Sequence, residues 1–167
     1  VAVGSQNYRA KKILLATGTW PFVPDIPGAE LALTSNEIFD LDQLPDRLLV
    51  VGGGYIATEF ASIFAGLGTE VLQSYRGDLF LRGFDQELRL FLASEMRKSG
   101  VDVRFNHHIK RIQQTAFGAL SVEMSDQDIE VDKVLFATGR RPNLKGLNLE
   151  ATRVELSDLG NLIVDGH

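Results

Sequence analysis

The chain has 167 residues, of which 44% are hydrophobic and 23% charged, with a net charge of −5 at pH 7. These values are typical of one globular domain with flanking segments, and the negative charge argues against bulk attraction to nucleic acid or anionic membrane. No apolar run is long enough to span a bilayer and no signal peptide is visible, so we expect a cytoplasmic protein. The chain has no cysteine, which excludes structural disulfides and thiolate zinc sites.

Two near-copies of one segment flank the centre of the chain. ILLATG at 13–18 and VLFATG at 134–139 are each predicted to be an apolar strand that ends in Ala-Thr-Gly, with a proline three residues later. Two copies do not make a solenoid, and we interpret them as two matching exits of one domain. Residues 1–3 and 8–12 are predicted to be strand fragments of another domain. We therefore interpret the chain, which begins without a methionine, as a piece of a longer protein.

A glycine-rich turn lies between these exits. Arg47–Val51 is a short apolar run typical of a buried strand, and residues 52–57 (GGGYIA) fit the dinucleotide fingerprint G-x-G-x-x-G/A. Gly52 permits the tight turn, Gly54 lets a pyrophosphate approach the backbone, and Ala57 lets the helix pack close to the strand. The helix that follows would present free N–H groups to an anion. The alternative is a strand, turn and helix in which glycine serves only the turn.

Apolar residues recur behind the turn at helical spacing, and Gly68 stands where a helix end is expected. We expect the core-facing side of this helix to consist of Ile56, Phe60, Ile63, Phe64 and Leu67.

The second strand, Thr69–Tyr75, indicates which dinucleotide binds. An NAD-binding domain places an acid near the end of this strand for the ribose 2′-hydroxyl, but here Tyr75 is followed by Arg76, and Arg82 lies six residues further on. Guanidinium groups bind a 2′-phosphate through charge-assisted hydrogen bonds, which favours NADPH over NADH. The alternative is that both arginines are solvated surface charges.

The remaining elements continue the alternation of helices and strands. Asp85 is a predicted N-cap for a helix that Gly100 closes, and its predicted apolar face consists of Leu88, Phe91, Leu92 and Met96. The further predicted strands are Val101–Phe105, Ile109–Gln114, Leu120–Met124 and Lys133–Ala137, with a hairpin turn at residues 117–119. The pattern predicts an α/β fold: a Rossmann-like parallel sheet with helices and a small antiparallel β-meander. The pair His107-His108 has no further ligand at metal spacing, and we predict no metal site.

These segments together resemble the NADPH-binding domain of the glutathione reductases, a branch of the flavin-dependent pyridine nucleotide–disulfide oxidoreductase family. The similar segments cover nearly the whole chain in the family's order: ILLATG (13–18), TSNEIFDL (34–41), VVGGGYIATEFASIF (50–64), YRGDLFLRGFD (75–85) and ATGRRPN (137–143). YRGDLFLRGFD is the most specific, because the dihydrolipoamide dehydrogenase branch carries an acid near this position. Trypanothione reductases lengthen the segment that is GLGT at 66–69 here, so its shortness favours glutathione disulfide as the substrate.

The resemblance implies roles for individual residues. Tyr55 is similar to the family's lid tyrosine, which covers the flavin and swings aside for nicotinamide. Glu59 is similar to an acid near the nicotinamide that pairs with a lysine of the flavin domain. Thr17 and Gly18 would contact FAD. The residues implied to bind NADPH are Gly52, Gly53, Gly54, Tyr55, Ile56, Ala57, Glu59, Arg76, Arg82 and Gly139. From the residues alone, Tyr55 could instead cover the helix start, and Glu59 could be a solvated helix residue.

The resemblance also implies a division of the chain. Residues 1–24 would end an N-terminal FAD-domain segment and connect it to the NADPH-binding domain at 25–143, and residues 144–167 would begin the return into the FAD domain. The family's redox-active cysteines and its acid–base histidine belong to regions that this chain lacks, so no catalytic residue is expected here. The whole enzyme is expected to be a homodimer that acts in redox homeostasis. It would pass hydride from NADPH to FAD, and the electrons would go on to glutathione disulfide. Its NADPH-binding domain would contact the FAD and interface domains, but no nucleic acid or membrane.

Two alternatives remain open. The chain could be a stand-alone nucleotide-binding module without catalysis. It could also be the same domain of a related NADPH-dependent disulfide or flavin reductase with another substrate.

Overall fold

The structure, a computed structural model, describes residues 1–158 and 160–165. The chain forms two compact units, one of Val1–Trp20 with Arg141–His167 and the other of Pro21–Arg140. In the described residues the strands are β1 (Ala2–Val3), β2 (Gln6–Asn7), β3 (Thr19–Pro21), β4 (Arg47–Val51), β5 (Glu70–Tyr75), β6 (Asp102–Phe105), β7 (Ile109–Gln114), β8 (Leu120–Met124), β9 (Asp128–Val131), β10 (Lys133–Phe136) and β11 (Arg140–Pro142). The helices are α1 (Tyr55–Gly66) and α2 (Gln86–Lys98), with short 3₁₀ turns at Ala29–Leu31, Glu37–Asp40 and Leu149–Ala151.

A four-stranded parallel sheet forms the centre of the unit Pro21–Arg140. Its order is β10-β4-β5-β6, and every neighbouring pair is parallel. Leu48, Leu49 and Val50 of β4 are completely buried, as expected for a strand covered on both faces. Because the chain proceeds from β4 to β5 and β6 on one side and returns to β10 on the other, the strand order reverses at β4.

The ends of both helices follow the predicted signals. Asp85 caps α2, since its carboxylate accepts the N–H groups of Glu87 at 3.0 Å and Leu88 at 3.1 Å. Gly68 and Gly100 follow the C-caps of α1 and α2 with positive φ values of 98° and 92°. The N–H of the residue after each glycine bonds back to the helix, from Thr69 to Phe64 in α1, which is the Schellman arrangement.

The buried faces of the two helices agree only in part with the predicted ones: Phe64 of α1 and Met96 of α2 are buried as predicted, but other predicted residues are exposed. In α1 the buried residues are Ala57, Thr58, Ala61 and Phe64. Small side chains let this helix approach the sheet, and the larger Ile63 and Leu67, predicted to be in the core, lie at its margin and are more than half exposed. In α2 the buried residues are Ala93 and Met96. The predicted core residues Leu88 and Phe91 are 64% and 65% exposed.

The antiparallel meander contains one strand more than predicted. β7 pairs with β8 around the expected turn, where Thr115 donates to Ala119 at 2.8 Å and Gly118 has a φ of 87°. β8 also pairs with β9 (Asp128–Val131), which was not predicted although its residues alternate between polar and apolar. The meander shares a second core cluster with one face of the parallel sheet, in which Ile112 and Val122 meet Leu49 and Phe136.

Two strands predicted in the unit of Val1–Trp20 and Arg141–His167, at residues 8–12 and 13–18, are absent from the structure. The strand fragment predicted at residues 1–3 is present as β1, but residues 8–12 form no strand. β1 pairs with β2 in a hairpin that reverses at Gly4 and ends where Tyr8 and Val1 exchange backbone hydrogen bonds of 2.8 Å. Residues 13–18, predicted as a strand, are not one, because no neighbour among the described residues pairs with them. Ile13 and Leu14 are largely exposed.

The predicted α/β class, with a parallel sheet, helices and an antiparallel meander, is confirmed. Among the described residues, no helix has the length and apolar character that crossing a membrane requires.

Candidate functional site

The glycine turn lies at the carboxyl end of β4, beside the point where the strand order reverses. Gly52 donates its N–H to Ser74 of β5 at 2.9 Å and has a φ of 145°. A Cβ on Gly52 would lie 2.2 Å from the carbonyl oxygen of Ala137, directly after β10. The fold itself therefore requires glycine at this position. Crevices at such reversals are where open α/β sheets bind their ligands.

Gly54 differs from Gly52 because the fold does not require glycine there. Its φ of −91° and ψ of 176° are extended values that any residue adopts. A Cβ built on Gly54 would have no atom within 4 Å. The side-chain position of Gly54 consequently opens onto empty space at the start of α1.

The start of α1 offers its N–H groups without a competing anion. Gly54 is the N-cap, no side chain accepts a hydrogen bond there, and the first turn has no acidic residue. The start of α2, by contrast, is already capped by Asp85. The first-turn N–H groups and the helix dipole of α1 favour an external anion such as a phosphate.

The loop at residues 76–83 folds back onto the glycine turn. Leu81, with a φ of 54°, donates its N–H to the carbonyl of Gly53 at 2.6 Å. The ring of Tyr75 occupies the space where side chains on Gly53 and Gly77 would lie, 2.4 Å from the first Cβ position and 2.7 Å from the second. Arg76 and Arg82, both exposed, are thereby carried on a loop that is anchored to the turn.

Arg89 of α2 also holds this loop, and the sequence patterns did not indicate it. Its guanidinium donates from Nε to the carbonyl of Phe80 at 2.6 Å and from Nη2 to that of Leu79 at 2.7 Å. Phe80 is completely buried and packs edge-on against Phe105. An arginine on an amphipathic helix is usually solvated, so only the tertiary fold could identify this contact.

Tyr55, Ile56 and Glu59 lie together on the solvent-facing side of α1. They line a shallow groove with Ile63, and Tyr55 is 59% exposed. Phe39 also lines the groove, and its ring packs edge-on against Phe60 with centroids 5.3 Å apart. The groove thus joins apolar side chains to the carboxylate of Glu59 and the guanidinium of Arg140, next to the start of the helix.

A glutamate near this groove has a perturbed acidity. Glu37 accepts hydrogen bonds at one carboxylate oxygen from the hydroxyl of Thr34 at 2.6 Å and from its N–H at 2.8 Å. Both bonds lower the pKa of Glu37 from its ordinary value of 4.5, and the bond from the Thr34 hydroxyl has the larger effect.

Gly139 is brought near the turn by β10. The N–H of Ala137 donates to the carbonyl of Val51 at 2.8 Å, and Gly139 follows with a φ of 135° and an exposed backbone.

Thr17 and Gly18 belong to the other compact unit. Their carbonyl oxygens accept hydrogen bonds from Asn143, that of Thr17 from the side-chain amide at 3.2 Å and that of Gly18 from the backbone N–H at 3.0 Å. Within residues 1–158 and 160–165, no three His, Cys, Asp or Glu side chains form a group that could hold a metal ion.

Comparison with known proteins identifies similar chains. The family model of pyridine nucleotide-disulphide oxidoreductases matches residues 1–167. The chain is 47% identical to a glutathione reductase of Burkholderia cepacia over 99% of its own length and 37% of the relative's. It is 42% identical to a glutathione reductase of Nostoc sp. (95% and 35%) and 38% identical to a trypanothione reductase of Trypanosoma congolense (96% and 33%). The chain therefore spans about a third of the length of these relatives.

Solved structures give the same result. An HOCl-induced flavoprotein disulfide reductase from Escherichia coli superimposes with a TM-score of 0.82 at 34% identity, over 89% of this chain and 35% of that one. An engineered water-forming NADPH oxidase bound to NADPH has a TM-score of 0.76 at 25% identity, over 89% and 34%. Among the five substitutions of that oxidase, one aspartate becomes alanine, and the two positions that become arginine are six residues apart.

Proposed function

The chain belongs to the pyridine nucleotide-disulphide oxidoreductase family, and from that premise we propose that its unit Pro21–Arg140 binds NADPH. The binding residues would come from the glycine turn and the start of α1 (residues 52–59), the loop 75–83 and the segment 137–139. In this proposal the domain runs from 25 to 143, and the flanks 1–24 and 144–167 belong to an FAD domain, where Thr17 and Gly18 would contact FAD.

The observation that carries the proposal is the open space at Gly54. The backbone there would tolerate any residue, yet glycine leaves the approach to uncapped N–H groups of α1 clear. A pyrophosphate needs that approach, because a methyl group would hold it away from its donors. Gly52 and Ala57 would serve the same interaction indirectly, through the tight turn and the close packing of α1.

Arg76 and Arg82 support NADPH over nucleotides with a free ribose 2′-hydroxyl. Both NADH and FAD carry that hydroxyl, for which a carboxylate at the end of β5 is the usual acceptor, and Tyr75 stands there instead. The engineered oxidase that binds NADPH lost an aspartate and gained two arginines at the same spacing as Arg76 and Arg82. A 2′-phosphate would lie within the field of both guanidinium groups.

The groove on α1 would receive the nicotinamide. Tyr55 would act as a lid, Ile56 would provide apolar contact, and Glu59 would offer a carboxylate at the far end. Gly53 and Gly139, of which Gly139 has exposed backbone, would border the dinucleotide on the sheet side. When bound, NADPH supplies a hydride; what these residues contribute is its orientation.

The whole enzyme is proposed to be a glutathione-disulfide reductase that passes reducing equivalents through FAD, as a cytoplasmic homodimer. Similarity to glutathione reductases at 42–47% identity supports this substrate. Similarity to trypanothione reductases keeps a related disulfide as the second candidate. Because the chain has no cysteine, the disulfide chemistry would use residues outside it.

Calorimetric titration of the chain with NADPH, NADH and FAD tests the nucleotide assignment. We expect NADPH to bind more tightly than NADH or FAD, and its advantage to shrink at high salt because ions screen the exposed arginines. Each of the changes Arg76→Met and Arg82→Leu should weaken NADPH binding about tenfold to a hundredfold through lost charge-assisted contacts, and the double variant more than either, with little effect on NADH. Adding Tyr75→Glu should then improve NADH binding.

Arg111→Met is the matched control, since Arg111 is an exposed arginine on the meander strand β7. It should bind all three nucleotides as the unaltered chain does. Equal affinity of the unaltered chain for NADH and NADPH would rule out the proposed specificity. A catalytically inert module would bind NADPH in this experiment but would gain no disulfide reductase activity when joined to the remainder of its protein.

A further inference from the structure

One polar side chain lies completely buried beneath the glycine turn. Gln73 of β5 is 0% exposed and lies beside Val50 of β4. Its side-chain Nε2 donates a hydrogen bond of 3.1 Å to the carbonyl oxygen of Gly52. Its Oε1 has no hydrogen-bond partner in the described part of the chain.

This arrangement is unfavourable for stability alone. A buried acceptor without a partner loses its hydration and gains nothing in return. Methionine or leucine has a similar volume and would fill the same space between the strands without that loss. Packing alone therefore does not account for the amide of Gln73, and in the described part of the chain its one side-chain hydrogen bond is with the turn.

The contact fixes the direction of one peptide group. Described peptide bonds are trans, and in a trans peptide the C=O and N–H bonds point in opposite directions. The carbonyl of Gly52 is directed to a completely buried side chain, so the N–H of Gly53 points away from the interior. The next carbonyl, that of Gly53, is held by Leu81 at 2.6 Å, so both successive carbonyls of the turn are occupied within the fold.

We propose that Gln73 is a positioning residue, which holds the Gly52–Gly53 peptide so that the Gly53 N–H donates to the pyrophosphate of the bound dinucleotide. This inference rests on the proposed function. It assigns a role to a residue that matches no dinucleotide-binding motif, and it predicts an effect on the pyrophosphate but none on the 2′-phosphate. Arg76 and Arg82 would bind the 2′-phosphate without help from Gln73.

The test uses the whole 167-residue chain with Gln73→Met, and with Gln73→Leu as a second, differently shaped variant. The probes are NADPH, which carries both groups, and adenosine 2′-monophosphate, which carries only the 2′-phosphate. We expect NADPH to bind about tenfold more weakly, as for the loss of one charge-assisted hydrogen bond. Binding of adenosine 2′-monophosphate should stay within about twofold. The melting temperature should fall no further than it does in Thr69→Val, because each variant leaves one carbonyl without its side-chain donor.

Thr69→Val is the matched control. Thr69 is buried and directly precedes the first residue of β5, at the end of the strand away from the glycine turn. Its hydroxyl donates to the carbonyl of Pro45 at 2.8 Å. Removing that bond should lower the melting temperature but leave NADPH affinity unchanged. The control therefore separates loss of a buried hydrogen bond in general from loss of the one beneath the turn.

Nuclear magnetic resonance of the unaltered chain tests the role of the Gly53 amide directly, without a variant. The Gly53 amide signal should shift, and its hydrogen exchange should slow, with NADPH but not with adenosine 2′-monophosphate.

An unresponsive Gly53 signal would overturn the inference, as would unchanged NADPH affinity in a folded Gln73 variant or an equal loss for both probes. If the unaltered chain bound neither probe, the proposed function would fail and this role with it. Binding of both probes without an effect of Gln73 would refute the positioning role alone.

Discussion

Replacement of Gly54 by alanine separates the needs of the ligand from the needs of the fold. The change adds one methyl group at the N-cap of α1, where no atom lies within 4 Å of the new carbon. The backbone is already in an extended conformation that alanine adopts without strain. We therefore expect Gly54→Ala to fold normally and to lose affinity for NADPH.

The expected stability change is small because two effects oppose each other. Alanine is a poorer N-cap than glycine, by about 0.5–1 kcal/mol. It also lowers the conformational entropy of the unfolded chain, which stabilises the folded state by about 0.4–1 kcal/mol. The net change should lie within about 0.5 kcal/mol, or roughly 1–2 °C in melting temperature for a chain of this size.

The expected loss of binding is much larger. A methyl group at Gly54 would hold the pyrophosphate away from the N–H groups of α1, and charge-assisted hydrogen bonds contribute about 1.5–3 kcal/mol each. Losing one such bond corresponds to a decrease in affinity of roughly tenfold to more than a hundredfold. The ratio of NADPH to NADH affinity should change little, because both nucleotides carry the pyrophosphate.

The assay is calorimetric titration combined with thermal unfolding, with Gly66→Ala as the matched control. Gly66 is the last residue of the same helix, and a Cβ there also meets no atom within 4 Å. Gly66→Ala should stabilise the chain by about 0.5–1 kcal/mol through helix propensity and leave NADPH affinity unchanged. If the two alanine variants bound NADPH equally well, the pyrophosphate would not lie at Gly54.

Three further predictions concern the surroundings of the turn. Gly53→Ala should destabilise the chain by about 1–3 kcal/mol in urea unfolding, because its Cβ would lie 2.4 Å from the Tyr75 ring, and Tyr75→Leu should recover part of that loss. Glu37 has a lowered pKa in the folded chain, so its contribution to stability is present above pH 4.5 and is lost as the pH falls through the folded value. The difference in denaturation midpoint between the unaltered chain and Glu37→Gln should accordingly shrink on acidification, and a constant difference would contradict the Thr34 contact. The isolated chain should not oxidise NADPH with glutathione disulfide, since it has no cysteine to form a thiol intermediate; sustained turnover by pure protein would disprove this.

Local patterns determined much of the fold. The apolar run of β4, the glycines after it and the Asp85 cap each depend on neighbours a few residues away, so the sequence was sufficient to predict them. The same holds for Gly68 and Gly100, whose positive φ values end the two helices. The α/β class follows from these elements in order.

Which helix face is buried was decided by tertiary packing. Periodicity identified a stripe of large apolar residues on α1, of which Phe64 is buried, but the buried side also carries Ala57 and Ala61, since small residues permit the closest contact. Residues 13–18 were apolar enough for a strand, but a strand also needs a paired neighbour, and periodicity carries no information about partners.

The sequence by itself determined the fingerprint at residues 52–57 and the presence of arginines where an acid is usual. Only the tertiary structure decided that the loop carrying them returns to the turn, through the Leu81–Gly53 hydrogen bond and the Arg89 contacts. It likewise decided that Gly52 serves the fold while Gly54 leaves open space, a distinction that identical letters in a motif cannot make. The physical reason is that such contacts join residues distant in sequence, whose meeting depends on how the strands are ordered in the sheet.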